Sequence, residues 1–173
     1  LIYDEKSGRL KKGDLRIDGE KIKKIDSYLS SKEKEKTIDI TGKYLLPGII
    51  DSHVHFELES RGTVSDDDFY TGSISAAFGG VTTFIDYADM KKESLVAGLE
   101  ERKVKAKNKS VLDYTFHLVI NNDFDLDKHL EEIEKLPKKG ISSLKLFTTY
   151  KDIYMLEEKK KKKIFDVAAK NNL

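Results

Sequence analysis

The chain has 173 residues, enough for one ordinary domain that buries roughly two thirds of its unfolded surface. Charged residues make up 36%, but 32 Lys plus Arg against 31 Asp plus Glu leave a net charge of +1, so no global field favours nucleic acid and a small-molecule partner is expected. With no cysteine and no apolar run near roughly 20 residues, disulfides, thiolate metal sites and membrane spans drop out, and a cytoplasmic protein with no membrane contact is expected.

Residues 1–46 read as short strands joined by polar turns. Asp14-Leu15-Arg16-Ile17, Asp18-Gly19 and residues 20–25 form a predicted hairpin, and residues 37–40, Thr41-Gly42 and 43–46 repeat the pattern around a charged loop at 30–36. Leu1 already lies in what reads as a strand with no Met before it, which suggests a truncated N-terminus. A small β unit is expected over 1–46, with a boundary near Pro47.

From there strands alternate with helices. A strand over 49–55 and a polar loop lead to Ser65, a predicted N-cap with Asp66, Asp67 and Asp68 in the first turn, and Gly79-Gly80 closes that helix. Strands follow at 81–86, 112–120 and 141–147, and helices at 91–107, 126–136 and 156–169. The run Lys159 to Lys163 is read as a solvated face. Four parallel βα units in series suit either an open doubly wound sheet or half of an eight-stranded barrel. The stretch after the first strand, HVHFELES, contains no glycine-rich phosphate loop, so the nucleotide-binding version loses support.

Along an extended strand Asp51, His53 and His55 share one face, placing two imidazoles and a carboxylate at the C-terminal strand end, where βα barrels carry their active sites. Two neutral imidazoles can bind a divalent cation such as Zn²⁺, with Asp51 orienting them from behind. Lys145 sits mid-strand in Ile141-Ser142-Ser143-Leu144-Lys145-Leu146-Phe147, and a buried ammonium needs a reason. Either it pairs with a carboxylate, or a neutral amine there reacts with CO₂ to give an anionic carbamate whose two oxygens can bridge two metal ions.

In order, GIIDSHVHF, DDFYTGSISAAFGGVTTFIDYA, LDYTFHLVI and GISSLKLFTTYK resemble the N-terminal part of the dihydropyrimidinase/hydantoinase family, within the metal-dependent amidohydrolases. The pattern SxKxFxxY beside HxH carries most of that resemblance. It implies an α/β fold, the first half of a (β/α)₈ barrel over 47–173 preceded by part of a small β-sandwich over 1–46. It also implies two divalent metal ions, usually zinc, held by His53, His55 and a carbamylated Lys145 that bridges them. Tyr150 would then hydrogen-bond the substrate carbonyl, Phe147 would face the pocket, and Tyr154 would close over it.

The implied activity is hydrolytic opening of a dihydropyrimidine or hydantoin ring to an N-carbamoyl amino acid, in a homotetramer. Dihydroorotases typically carry Arg where Glu57 stands, which disfavours that chemistry, while allantoinase and a non-catalytic scaffold of the same family stay open. The loop Glu57-Leu58-Glu59-Ser60-Arg61-Gly62 departs from the family's more apolar version, with Ser60 in place of a bulky apolar residue. Family enzymes are much longer, and their remaining ligands lie beyond the fourth strand, so the isolated chain is expected to be inactive. His117 is expected to serve core packing or support a ligand, and His129 to lie solvated on the polar face of its helix.

Overall fold

The structure is a computed structural model and describes residues 1–60 and 62–173. Arg61, within the polar loop 57–62, lies outside the described residues. The chain divides into two compact units, Leu1–Gly48 and Ile49–Leu173.

In the first unit β1 (Ile2–Asp4) pairs antiparallel with β2 (Arg9–Lys11), and β3 (Asp14–Asp18) with β4 (Lys21–Asp26), as separate sheets. The second hairpin turns one residue later than the Asp18-Gly19 expectation, because Asp18 itself pairs with Lys21 and Gly19 takes φ +60. The hairpin expected over 37–46 does not form. Its turn at Thr41 and Gly42 is present, but Leu45 bridges to Ile2 instead, accepting from the Tyr3 N–H at 3.0 Å and donating to Leu1 O at 2.7 Å. The unpaired edge of β1 competes for the same backbone groups and prevails over the local pairing.

The second unit runs β5 (Ile49–Asp51), β6 (Glu59–Ser60), β7 (Thr63–Val64), α1 (Phe69–Phe78), β8 (Val81–Asp89), α2 (Leu95–Ala106), β9 (Asp113–Ile120), α3 (Leu126–Ile133), a 3₁₀ turn at Pro137–Lys139, β10 (Leu144–Leu146) and α4 (Glu158–Lys170). β6 and β7 form a short antiparallel pair in the polar loop. β5, β8, β9 and β10 form one parallel sheet in which chain order and spatial order coincide. A doubly wound sheet reverses its order at a switch point; this one does not, as in a partial βα barrel.

Helix α1 begins at Phe69, not at Ser65. Asp68 accepts from the N–H groups of Tyr70 and Thr71, and the Thr71 hydroxyl accepts from the Asp68 N–H, so a reciprocal capping box fixes the start. Ser94 caps α2. Gly98 of α2 lies against β8, where an added Cβ would stand 1.7 Å from Asp89 O, so only glycine permits this approach. Between sheet and helices Phe84, Leu99, Phe116, Leu118, Ile133 and Ile164 are buried.

His129 corrects an expectation: it is 0% exposed, not solvated. Leu126, His129, Leu130 and Ile133 recur at helical spacing, so the histidine lies on the stripe that faces inward. Its Nδ1 accepts from the Asp125 N–H at 3.0 Å, and its ring stands 5.6 Å from that of Phe124. No helix among the described residues is long and apolar enough to cross a membrane.

Candidate active site

The first strand of the sheet is shorter than 49–55 and ends at Asp51, whose Oδ1 accepts from the His53 N–H at 3.0 Å. That bond ties one carboxylate oxygen to the backbone of the first histidine. His53 and His55 follow in the segment beyond the strand end, with their Nε2 atoms 3.2 Å apart. Burial, with the nearby charges of Lys145, His53 and Arg102, holds the His55 imidazole below its ordinary value, so its neutral form prevails at pH 7. The His55 Nδ1 is buried without a hydrogen-bond partner among the described residues.

Lys145 lies in the middle of β10, opposite Val119 of β9. It has no carboxylate partner among the described ion pairs, so the simple pairing explanation finds no support there. Its Nζ stands 4.0 Å from the centroid of the Tyr87 ring and 5.1 Å from that of Phe147. Tyr87 also stacks on His55, with centroids 4.7 Å apart and planes 21° apart, and meets His53 edge-on at 4.9 Å. His53, His55 and Lys145, drawn from opposite edges of the sheet, therefore meet on one buried aromatic ring.

The aromatic candidates gather beside Lys145. Phe147 lies 4.9 Å from Tyr154 and 5.9 Å from Tyr150, and Tyr150 lies 6.2 Å from Tyr154, as centroid separations. Tyr150 is 57% exposed and adopts φ +61, a left-handed conformation uncommon for a tyrosine. Three N–H groups, from Ile153, Tyr154 and Met155, converge on its carbonyl and hold the turn that presents it.

The segment after His55 is held by residues that the sequence reading did not single out. Arg102 of α2 donates to Phe56 O at 2.6 Å and to the Asp86 carboxylate at 2.5 Å, and its guanidinium stands 4.8 Å from the Phe69 ring centroid. Asp86, fully buried, precedes Tyr87 in β8; burial pushes its carboxyl up against the opposing pull of Arg102. The Ser65 hydroxyl donates to His55 O at 3.2 Å and accepts from the Leu58 N–H at 2.9 Å. A signal for this framework existed: Asp86 is a charge inside an apolar strand, as Lys145 is, and needs a partner for the same reason.

Two nitrogens bound to one tetrahedral Zn²⁺ at about 2.0–2.1 Å stand about 3.3 Å apart. The observed 3.2 Å between the His53 and His55 Nε2 atoms matches that edge, so the donor pair fits a divalent cation. Among the described residues no three or more His, Cys, Asp or Glu side chains group as a full metal site.

No family model matches the chain. It is 43% identical over 147 residues to the D-hydantoinase of Geobacillus stearothermophilus, covering 84% of this chain and 31% of that one. It is 36% identical over 156 residues to the dihydropyrimidinase of Dictyostelium discoideum, covering 89% and 31%. The crystal structure of dihydropyrimidinase from Brevibacillus agri superposes with a TM-score of 0.84 at 41% identity, over 91% of this chain and 34% of that one. The chain thus spans about a third of the length of the relatives it matches.

Proposed function

We propose, from its similarity to D-hydantoinases and dihydropyrimidinases over about a third of their length, that the chain is the N-terminal part of a protein of that family and that the complete protein hydrolyses a cyclic amide. The substrate is a dihydropyrimidine or hydantoin ring, and the product an N-carbamoyl amino acid. In this reading the parallel sheet is the first half of an eight-stranded barrel, the protein is cytoplasmic, and the active form is a homotetramer, the last as the family resemblance suggests. The 173 residues alone are inactive, since they supply three ligands where two metals need about six.

The observation that supports the reading is the meeting of His53, His55 and Lys145 on the Tyr87 ring. His53 and His55 would hold a divalent cation through Nε2, and Lys145, as its carbamate, would supply further oxygen ligands. When bound, such cations polarise a carbonyl and make hydroxide available at neutral pH. Tyr150 donates its hydroxyl proton in a hydrogen bond to the ring carbonyl oxygen, an interaction that strengthens as negative charge gathers there. Phe147 and Tyr154 flank the ring and exclude water from its apolar face.

Metal analysis and ring-opening assays with dihydrouracil, hydantoin and allantoin on the longest natural chain containing these residues test the proposal. We expect bound divalent metal, turnover of dihydrouracil or hydantoin, and reduction of turnover to background by His53→Ala. A folded wild-type protein with no metal and no turnover would overturn it in favour of a scaffold role, and turnover of allantoin alone would overturn the substrate assignment.

A further inference from the structure

We infer that His117 is a positioning residue that sets the spacing between the two segments carrying the proposed metal ligands; the inference rests on the proposed metal site. His117 lies on β9, directly opposite Tyr87 in the register with β8, and its ring stands 5.1 Å from that of Tyr87. Both of its ring nitrogens are engaged. Nε2 lies 3.0 Å from Ser52 O, and Nδ1 lies 2.5 Å from the Ser143 hydroxyl.

The partners assign the proton. A carbonyl oxygen only accepts, so Nε2 carries hydrogen and donates to Ser52, which leaves Nδ1 free to accept from the Ser143 hydroxyl in the neutral ring. Ser52 immediately precedes His53, and Ser143, the residue just before β10, stands two residues before Lys145.

The location explains why such a bridge is needed. The β5 ladder ends at Asp51, so Ser52 lies just outside it, while Ser143, immediately before β10, is joined to β9 through its carbonyl, which accepts from the Leu118 N–H at 3.2 Å. β5 and β9 are not neighbours either, because β8 lies between them. A single imidazole therefore reaches across Tyr87 and ties the start of the His53–His55 segment to the approach of Lys145. Partners bonded directly to ligating side chains are worth about 10- to 100-fold in metal affinity, and His117 is expected to act within that range although it bonds to the residues beside the ligands.

The test is Zn²⁺ affinity, measured by chelator competition on the longest natural chain containing these residues, together with circular dichroism and melting temperature. His117→Phe is expected to keep the fold and bind Zn²⁺ about 10- to 100-fold more weakly. His117→Gln, whose amide can still donate to Ser52 O, recovers part of the loss, and Ser143→Ala loses about tenfold. Wild-type affinity in folded His117→Phe, no recovery in His117→Gln, or weakened binding seen only where the native dichroism is also lost would overturn the inference. Should His117→Phe not fold, Ser143→Ala decides, and wild-type affinity in it overturns the inference. Wild-type protein that binds no Zn²⁺ would sink the proposed function as well, whereas failure in the variants alone sinks only the role of His117.

Discussion

In Leu1–Gly48, Ile2 is the only hydrophobic side chain among the described residues that is buried, while Ile17, Ile22, Ile25 and Ile38 stand in solvent. In Ile49–Leu173 the same residue types are enclosed: Ile120, Ile133, Ile141 and Ile164 are buried with four phenylalanines. The strand-forming composition is similar in both, so alternation alone does not make a core. What differs is the second layer. Parallel strands need crossover connections, here helices that cover the sheet, whereas among the described residues of Leu1–Gly48 no helix covers the two-stranded ladders.

Paired substitutions sharpen that contrast. The largest effect is expected from Arg102→Met, which strands the Asp86 carboxylate beneath α2 and should cost about 3–5 kcal/mol in urea unfolding. Its counterpart in the first unit, Arg16→Met, removes a less buried pair with Glu35 and should cost clearly less. Equal losses would mean that burial is not the deciding variable. Leu99→Ala should cost about 2–5 kcal/mol through the cavity it leaves, against under about 0.5 kcal/mol for Ile22→Ala, which is 64% exposed.

The smallest effect is electrostatic. Hydrogen bonds from Lys11 and then Ser7 hold the Asp4 carboxyl at about 2, below its ordinary 3.8. Its folded value being depressed, the ionised form stabilises the β1–β2 turn above pH 3.8, and that contribution is lost as pH falls towards 2. Asp86 has the opposite sign: burial raises it, so its contribution is present below the ordinary carboxylate value and lost as pH rises through the raised one. NMR titration of both carboxyls checks this, and Lys11→Met should return Asp4 towards 3.8; an unmoved Asp4 would refute the assignment.

Much of the second unit is legible in the sequence because each element there announces itself locally. The strand at 81–86, the helix closed by Gly79-Gly80 and the mid-strand Lys145 all follow from period and residue type. Boundaries shift where side chains compete. Ser65 reads as a cap but binds the carbonyl of His55, and Asp68 caps in its place. His129 reads as polar surface from its residue type, although it stands on the apolar stripe of Leu126, Leu130 and Ile133 that faces inward. Strand pairing over 37–46 fails for a related reason, since the partner of Leu45 lies more than forty residues earlier, at Ile2.

By itself the sequence determined that two imidazoles follow one strand, that a lone lysine lies within another and that all three need partners or ligands, because side-chain chemistry and strand period are local properties. Only the tertiary structure decided that these groups meet on Tyr87, that Arg102 and Ser65 hold the segment after the strand, and that His117 joins its two sides. Those contacts link residues far apart in the chain, and their geometry is set by sheet register and helix packing, which no local pattern encodes.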